Sequence, residues 1–218
     1  MYCFNDKLSK LKDKRKILEA EISEYYTNKI NLYGATGKGV DWSSEESQII
    51  RFDQLSKVLE EESGSIIDFG CGYGAYFDYL KNKGFENTYY GIDISDAMLS
   101  KATEKFQLRK GLELFSDLRE VGKKDYVIAS GIFNIRNGTS DENWIDYVES
   151  LLLKFDQYSN KGFAFNMLTS YSDEALMKDY LFYANSLKIF DLCKRKYSKN
   201  VALLHDYKLY EFTIIVRK

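Results

Sequence analysis

Three glycines at alternate positions, Gly70, Gly72 and Gly74, lie between an apolar run and a stretch with helical spacing. Asp68 lies two residues before the first glycine, and Asp93 ends a second apolar run. Glycine allows the unusual backbone angles of such a turn and lets a ligand approach the main chain closely. Free amides at the start of the following helix then face that ligand. A carboxylate at the tip of the second strand is placed to accept hydrogen bonds from ribose hydroxyls. The pattern predicts a nucleoside-binding βαβ unit.

Short apolar runs and amphipathic stretches predict the elements that hold these residues. Buried parallel strands are typically short apolar runs, which are found here at 66–69, 88–92, 112–115, 126–130 and 163–168. Helical spacing predicts a long amphipathic helix over 5–30 and two helices within 173–197. Further helices begin after Ser43 or Ser44 and after Ser95, because serine caps helix N-termini. The chain closes with apolar segments at 201–207 and 209–216.

Two sequence motifs resemble those of a known family. The run D-F-G-C-G-Y-G at 68–74 closely resembles the first motif of class I S-adenosylmethionine-dependent methyltransferases, and G-I-D-I-S-D-A-M-L at 91–99 resembles their second. In that family the acidic strand-end residue helps to hold the methionine end of the cofactor, so the resemblance gives this role to Asp68. The glycines also satisfy the dinucleotide fingerprint G-x-G-x-x-G/A, with Ala75 in its last position. A nicotinamide or flavin enzyme is therefore the alternative.

The resemblance spans nearly all of residues 40–218 and implies a fold. We expect a doubly wound, Rossmann-like α/β domain with a seven-stranded, mostly parallel sheet, whose last strand is antiparallel. Residues 1–62 would supply N-terminal helices and a lid, and residues 63–218 the S-adenosylmethionine-binding core, within one structural domain.

The family resemblance also implies a set of cofactor-binding residues. An acidic residue after the third strand contacts the adenine amino group in this family, and Asp117 matches it, although Asp117 would also suit the start of a turn. The expected cofactor-binding residues are Gln48, Arg51, Asp68, Gly70, Cys71, Gly72, Asp93, Ile94, Met98, Asp117, Leu118, Ser130 and Gly131.

The segment before the first strand carries a third pattern. G-x-D-W…E-S-Q-x-x-R-F, from residue 39, resembles a subgroup of bacterial small-molecule methyltransferases linked to surface-polysaccharide synthesis. Gln48 and Arg51 are three residues apart and share one helix face. Arg51 would either pair with the cofactor carboxylate or form a surface ion pair with a nearby glutamate. Trp42 would either cover the sulfonium or substrate or anchor the core. The sequence leaves both choices open.

Polar residues near later strand ends are the catalytic candidates. His205 is the only histidine and would take a hydroxyl proton near neutral pH. Asn134 and Arg136 follow the fourth strand, at the sheet edge where ligands bind in open α/β folds, and they indicate a polar or anionic acceptor. Tyr171 is the remaining candidate. For Asn166, in the fifth strand, a core hydrogen-bond network is favoured over a place at the site.

Composition excludes several classes. The 31 basic and 33 acidic residues lack the basic excess of a nucleic-acid binder, and the basic cluster at 7–16 suits a solvated helix face. Three widely spaced cysteines indicate a reducing compartment and neither a disulfide framework nor a zinc site. No recognisable metal-binding spacing occurs, and no apolar run is long enough to cross a membrane. We expect a cytoplasmic protein without bound nucleic acid or membrane insertion.

These features predict methyl transfer from S-adenosylmethionine, leaving S-adenosylhomocysteine. By resemblance alone, the acceptor would be an oxygen of a sugar, sugar nucleotide or phosphorylated intermediate of surface-glycan synthesis. An NAD(P)-dependent oxidoreductase and a non-catalytic S-adenosylmethionine-binding protein are the alternatives.

Overall fold

A seven-stranded sheet forms the centre of the protein. The computed structural model describes residues 2–42, 44–59, 64–107 and 109–218, with side chains from Arg15 onward. In chain order the strands are β1 (Ile66–Phe69), β2 (Tyr89–Ile92), β3 (Leu112–Phe115), β4 (Lys124–Ala129), β5 (Ser159–Leu168), β6 (Asn200–Leu204) and β7 (Glu211–Arg217). Their spatial order is β3-β2-β1-β4-β5-β7-β6. Strand β7 runs antiparallel to β5 and β6, and the pairs among β1–β5 are parallel. The predicted doubly wound fold is confirmed.

Six α-helices surround this sheet in the described part of the chain. They are α1 (Tyr2–Tyr33), α2 (Glu45–Ser56), α3 (Ala75–Asn82), α4 (Asp96–Phe106), α5 (Asp141–Tyr158) and α6 (Ser186–Lys196). Short 3-10 helices occur at Gly37–Val40, Leu118–Glu120 and Glu174–Leu176. None of the described helices is long and apolar enough to cross a membrane.

Both faces of the sheet are covered, which explains why its strands are nearly continuous apolar runs. One core joins α2, α3 and Phe106 of α4 to side chains such as Ile66 and Ile128. The opposite core joins α5 and α6 to Val127 and Phe163, among others. Leu18 and Ile22 of α1 belong to this second core. Helix α1 therefore packs on the body of the protein through the apolar face that its spacing predicted.

Serine side chains begin two of these helices, as predicted. The Ser44 hydroxyl accepts a hydrogen bond from the Ser47 amide at 3.1 Å, and the Ser95 hydroxyl accepts one from the Met98 amide at 3.3 Å. Ser43, the other candidate for the first cap, lies outside the described residues, as do the side chains of the basic cluster before Arg15.

The prediction of two helices within 173–197 is confirmed in its second half by α6. The first half contains only the short 3-10 helix, followed by an extended segment. Leu181 forms an antiparallel bridge with Ile135, and Ala184 forms a parallel bridge with Thr169. Backbone groups of this segment thus pair with the loops after β4 and β5. Phe182 and Ala184 are buried in this extended segment, whereas Tyr180 is 42% exposed, so its aromatic positions do not form the buried helix face that was expected.

Adjacent leucines of α5 test the packing on the sheet. Leu152 is fully buried, whereas Leu153 is 51% exposed. We expect Leu152→Ala to lower the free energy of unfolding by about 2–5 kcal/mol, because it removes buried methyl groups and leaves a cavity. The matched control Leu153→Ala should change it by less than about 0.5 kcal/mol. Urea unfolding of both variants measures the difference, and similar losses would contradict the orientation of α5.

Candidate active site

The glycine turn after β1 lies at the carboxyl edge of the sheet, where the strand order reverses between β1 and β4. Gly70, Gly72 and Gly74 have φ angles of 81°, 55° and 81°, in the left-handed region that favours glycine. A Cβ at Gly70 would lie 2.3 Å from a methyl carbon of Ile132. These glycines therefore bring the main chain against the wall of a crevice, and in open α/β sheets ligands bind at such switch points.

An internal cavity of about 110 Å³ opens beside this turn. Its floor comes from the ends of β1, β2 and β4, and its cover comes from α1 and the segment before α2. The cover consists of Glu19, Ile22, Tyr26, Val40 and Trp42. Sites for small ligands usually enclose about 300–1,000 Å³, so this cavity is small for a nucleoside with the cover in its present position.

Asp68 is the central polar group of the cavity. Its side chain is 2% exposed, and one carboxyl oxygen accepts a hydrogen bond from the Tyr89 hydroxyl. The other oxygen, Oδ1, is buried without a partner. Burial raises the pKa of Asp68 to about 7, although the Tyr89 hydrogen bond opposes this shift. The site thus contains a buried carboxyl group with free hydrogen-bonding capacity.

Asp93, at the end of β2, joins the glycine turn to α4. One carboxyl oxygen accepts a hydrogen bond from the Gly72 amide at 2.8 Å, and the other accepts one from the Ser95 amide at 2.9 Å. Burial raises the pKa of Asp93 to about 6, against the effect of these amide bonds. A carboxylate has about four acceptor positions, so Asp93 keeps capacity for ribose hydroxyls while it fixes the turn.

Arg51 of α2 forms a buried ion pair whose partner the sequence did not identify. Its Nε lies 2.9 and 2.8 Å from the two carboxylate oxygens of Glu211, and its Nη2 lies 2.5 Å from one of them. The predicted alternative of an ion pair with a glutamate is confirmed, but its location at the surface is wrong, since Arg51 is 7% and Glu211 is 2% exposed. The guanidinium also lies over the Trp42 ring, 4.0 Å from its centroid. Trp42 thus lines the cavity and also makes a cation–π contact with Arg51.

Most of the predicted cofactor residues are brought together. Those lining the cavity are Gln48, Asp68, Gly70, Cys71, Gly72, Asp93, Ile94, Met98 and Ser130. Arg51 and Gly131 lie behind this lining, in contact with Trp42.

Asp117 and Leu118 do not line the cavity. The Asp117 carboxylate accepts hydrogen bonds from the Arg119 side chain and amide, which lower the pKa of Asp117 to about 2. It caps the 3-10 helix at Leu118–Glu120, so this geometry favours the turn role over adenine contact. Leu118 packs in the core with Leu18 and Ile22 of α1.

The four catalytic candidates also lie away from the cavity lining. The Asn134 side-chain oxygen accepts a hydrogen bond from the Leu168 amide, and Arg136 donates to the Leu181 carbonyl and to Asp141. Both are therefore engaged in holding loops. His205 and Tyr171 are exposed and face each other, with ring centroids 5.8 Å apart.

Sequence reasoning missed the covering residues of α1 and α5, namely Glu19, Tyr26 and Tyr147. Nothing local in the sequence distinguishes them from ordinary residues of amphipathic helices. Glu211 left a signal, because it is a carboxylate at the start of an otherwise apolar strand. Asn166 fulfils its prediction of a core network: its side-chain oxygen accepts from the Gly131 amide, and its Nδ2 donates to Glu211.

Comparisons with known proteins agree with this site. A family model described as "Methyltransferase domain" matches residues 42–168, more than half of the chain. The chain is also 51% identical over 154 residues to "Putative methyltransferase Rv1506c" of Mycobacterium tuberculosis (strain ATCC 25618 / H37Rv), which covers 71% of this chain and 93% of that protein. The chain belongs to the methyltransferase domain family. The methyl donor of this family is S-adenosylmethionine.

Solved structures show the same fold at low sequence identity. The structure described as a DhpI–SAH complex has a TM-score of 0.64 and 14% identity, and the match covers 92% of this chain and 96% of that one. Magnesium protoporphyrin IX methyltransferase from Synechocystis PCC 6803 with bound SAM has a TM-score of 0.55 and 16% identity, with 79% of each chain covered. These likenesses establish the architecture alone.

Burial of Asp68 predicts a pH dependence of stability. Its pKa is about 7 in the folded protein, against an ordinary value of 3.8. The folded state therefore retains a proton that the unfolded state releases, and stability falls as the pH rises from about 4 to about 7. In Asp68→Asn, the decrease in unfolding free energy between about pH 5 and pH 8 should be smaller by on the order of 2 kcal/mol.

Urea unfolding at the two pH values measures this difference. The control is Asp191→Asn, which changes an exposed carboxylate on α6 and should retain the parental pH dependence. An Asp68→Asn variant with that same dependence would contradict the raised pKa.

Proposed function

We propose that this protein transfers a methyl group from S-adenosylmethionine bound in the cavity beside Asp68 to a small polar acceptor. The observation that carries the proposal is the buried, unpartnered Oδ1 of Asp68 within that cavity. Buried polar atoms are nearly always hydrogen-bonded, so one that lacks a partner requires an explanation. An ammonium group of a ligand would supply the missing donor.

A further polar atom supports an amino-acid end at this place. The Ser130 hydroxyl lines the cavity without a partner. A carboxyl group and a hydroxyl in one cavity complement the ammonium and the carboxylate of an amino-acid zwitterion. The residues present therefore fit S-adenosylmethionine, with its ammonium at Asp68, its carboxylate beside Ser130 and its ribose at Asp93.

The same geometry disfavours a dinucleotide. A nicotinamide or flavin dinucleotide would place a pyrophosphate at the glycine turn, beside the carboxyl group of Asp68. In its ionised form that group repels an anion. This charge pattern favours the methyltransferase over the oxidoreductase alternative.

The protein's part in the reaction is to bind, orient and exclude water. The cofactor supplies an electrophilic methyl group on its sulfonium. Asp68, Asp93 and the glycine turn would fix its two ends, while α1 and Trp42 cover the cavity from solvent. Much of the acceleration in such a displacement comes from orientation of the reactants in a site that excludes water.

For the acceptor, we propose a hydroxyl oxygen of a sugar, sugar nucleotide or phosphorylated intermediate of surface-glycan synthesis. The support is the resemblance of the segment around Trp42 and Arg51 to the subgroup linked with that chemistry. The near balance of acidic and basic residues is also more typical of a small-molecule enzyme than of one that binds RNA. His205, Asn134, Arg136 and Tyr171 all lie outside the cavity lining. The role of general base expected for His205 from the sequence therefore stays a prediction.

Binding of S-adenosylhomocysteine, the product without the transferred methyl, tests the proposed donor site. The parental protein should bind it in isothermal titration calorimetry. Asp93→Ala should weaken binding at least about tenfold, because charge-assisted hydrogen bonds to ribose contribute about 1.5–3 kcal/mol each. The control Asp191→Ala, on exposed α6, should bind like the parent. Absence of binding by the parent together with firm NAD binding would refute the proposal.

A further inference from the structure

The ion pair behind Trp42 is part of a closed ring of contacts. The Gly131 backbone amide donates a hydrogen bond to the Asn166 side-chain oxygen at 2.8 Å. Nδ2 of Asn166 in turn donates to Oε2 of Glu211 at 2.5 Å. The Glu211 carboxylate accepts hydrogen bonds from the Arg51 guanidinium, which lies over the Trp42 ring. Trp42 then closes the ring, because a Cβ at Gly131 would lie only 2.3 Å from its indole.

This ring joins parts of the chain that are remote in sequence. Trp42 precedes α2, Arg51 belongs to α2, Gly131 follows β4, and Asn166 and Glu211 belong to the paired strands β5 and β7. Two of its members adjoin the donor cavity: Trp42 lines it, and Gly131 follows the lining residue Ser130. The ring therefore connects the rigid centre of the sheet to one wall and the cover of the cavity.

Stability alone is a weak explanation for the ion pair. Well-packed apolar residues often replace a buried ion pair without loss of stability, since charges are costly to remove from water. Here the cost is compounded, because Nη1 of Arg51 has no partner. A costly buried network whose Trp42 lines the donor cavity is better explained by a role at that cavity than by stability.

We propose that Glu211 and Asn166 are positioning residues for the donor site. They fix the Arg51 guanidinium in one orientation, which holds the Trp42 ring against Gly131 at the wall of the donor cavity. This inference rests on the proposed function for the identity of the ligand. The fixation of Trp42 is a property of the ligand-free protein and is tested without it.

Fluorescence of Trp42 provides a direct readout. The chain has two tryptophans, and Trp144 is fully buried, with its indole N–H donating to the Phe133 carbonyl. Acrylamide quenching in the ligand-free protein therefore reports mainly on Trp42, and a Trp42→Phe variant identifies its contribution.

Glu211→Gln, which removes the charge but keeps the shape, should increase the quenching of Trp42. It should also weaken S-adenosylhomocysteine binding at least about tenfold, since misplaced binding groups lose much of their effect.

Three further variants make the result decisive. Arg51→Lys keeps the charge but loses the planar fork and the stacking, so it should reproduce both defects. Arg51→Met combined with Glu211→Leu leaves no unpaired buried charge and should fold even if Glu211→Gln does not, again with increased quenching and weakened binding. Glu104→Gln makes the same chemical change in an exposed ion pair with Lys101 on α4 and should match the parent.

Folded variants at Glu211 and Arg51 with parental quenching and parental binding would overturn the inference. So would full retention of both properties in Arg51→Lys, because charge alone would then suffice. Failure of the parental protein to bind S-adenosylhomocysteine would instead refute the proposed function and the ligand named here. The quenching result, measured without ligand, would still decide whether the ring fixes Trp42.

Discussion

The reversal of strand order between β1 and β4 is the constraint on which the site depends. From β1 the chain winds outwards through α3 and α4 on one face of the sheet, and from β4 it winds the other way through α5 and α6 on the opposite face. A crevice necessarily opens where the two halves diverge. Asp68, the glycine turn and Ser130 lie at its edge because each follows or ends one of these two central strands.

The charged and polar groups buried at that crevice lower the stability of the ligand-free protein. Burial raises the pKa of both Asp68 and Asp93, and several buried polar atoms beside the cavity lack partners. Such groups cost stability in the ligand-free protein. A ligand with a complementary cation and anion would recover this cost on binding, so the same feature that weakens the free protein would provide affinity and orientation. Helix α1 contacts the site through hydrogen bonds of Ser23 with the Ile94 carbonyl and of Thr27 with the Ser95 hydroxyl.

Local patterns predicted the parts of the site that local structure determines. The strands β1 and β3 have the expected bounds, Ser44 and Ser95 cap the expected helices, and the residues flanking the glycine turn line the cavity. Each of these depends on neighbours within a few residues. The turn formed by Asp117 and Arg119 is equally local, but the sequence admitted both a turn and adenine contact.

Features that depend on distant packing were missed or misplaced. Glu211 meets Arg51 only because β7 inserts between β5 and β6, 160 positions along the chain. His205 directly follows the end of β6. Because β6 is the outermost strand of the sheet, that end lies three strands beyond β4 and away from the cavity. The segment before α6 was expected to be helical, yet its backbone pairs with two loops. Periodicity over so short a segment does not distinguish a helix from extended backbone that pairs with loops.

The crystal structure of the protein with S-adenosylhomocysteine would test the central claim most directly. The account predicts the ligand's ammonium at Oδ1 of Asp68, its carboxylate near Ser130 and its ribose at Asp93, with α1 shifted to enlarge the cavity. The ring from Gly131 through Glu211 to Trp42 should be unchanged. A ligand bound elsewhere, or one whose amino-acid end lies away from Asp68, would contradict the account.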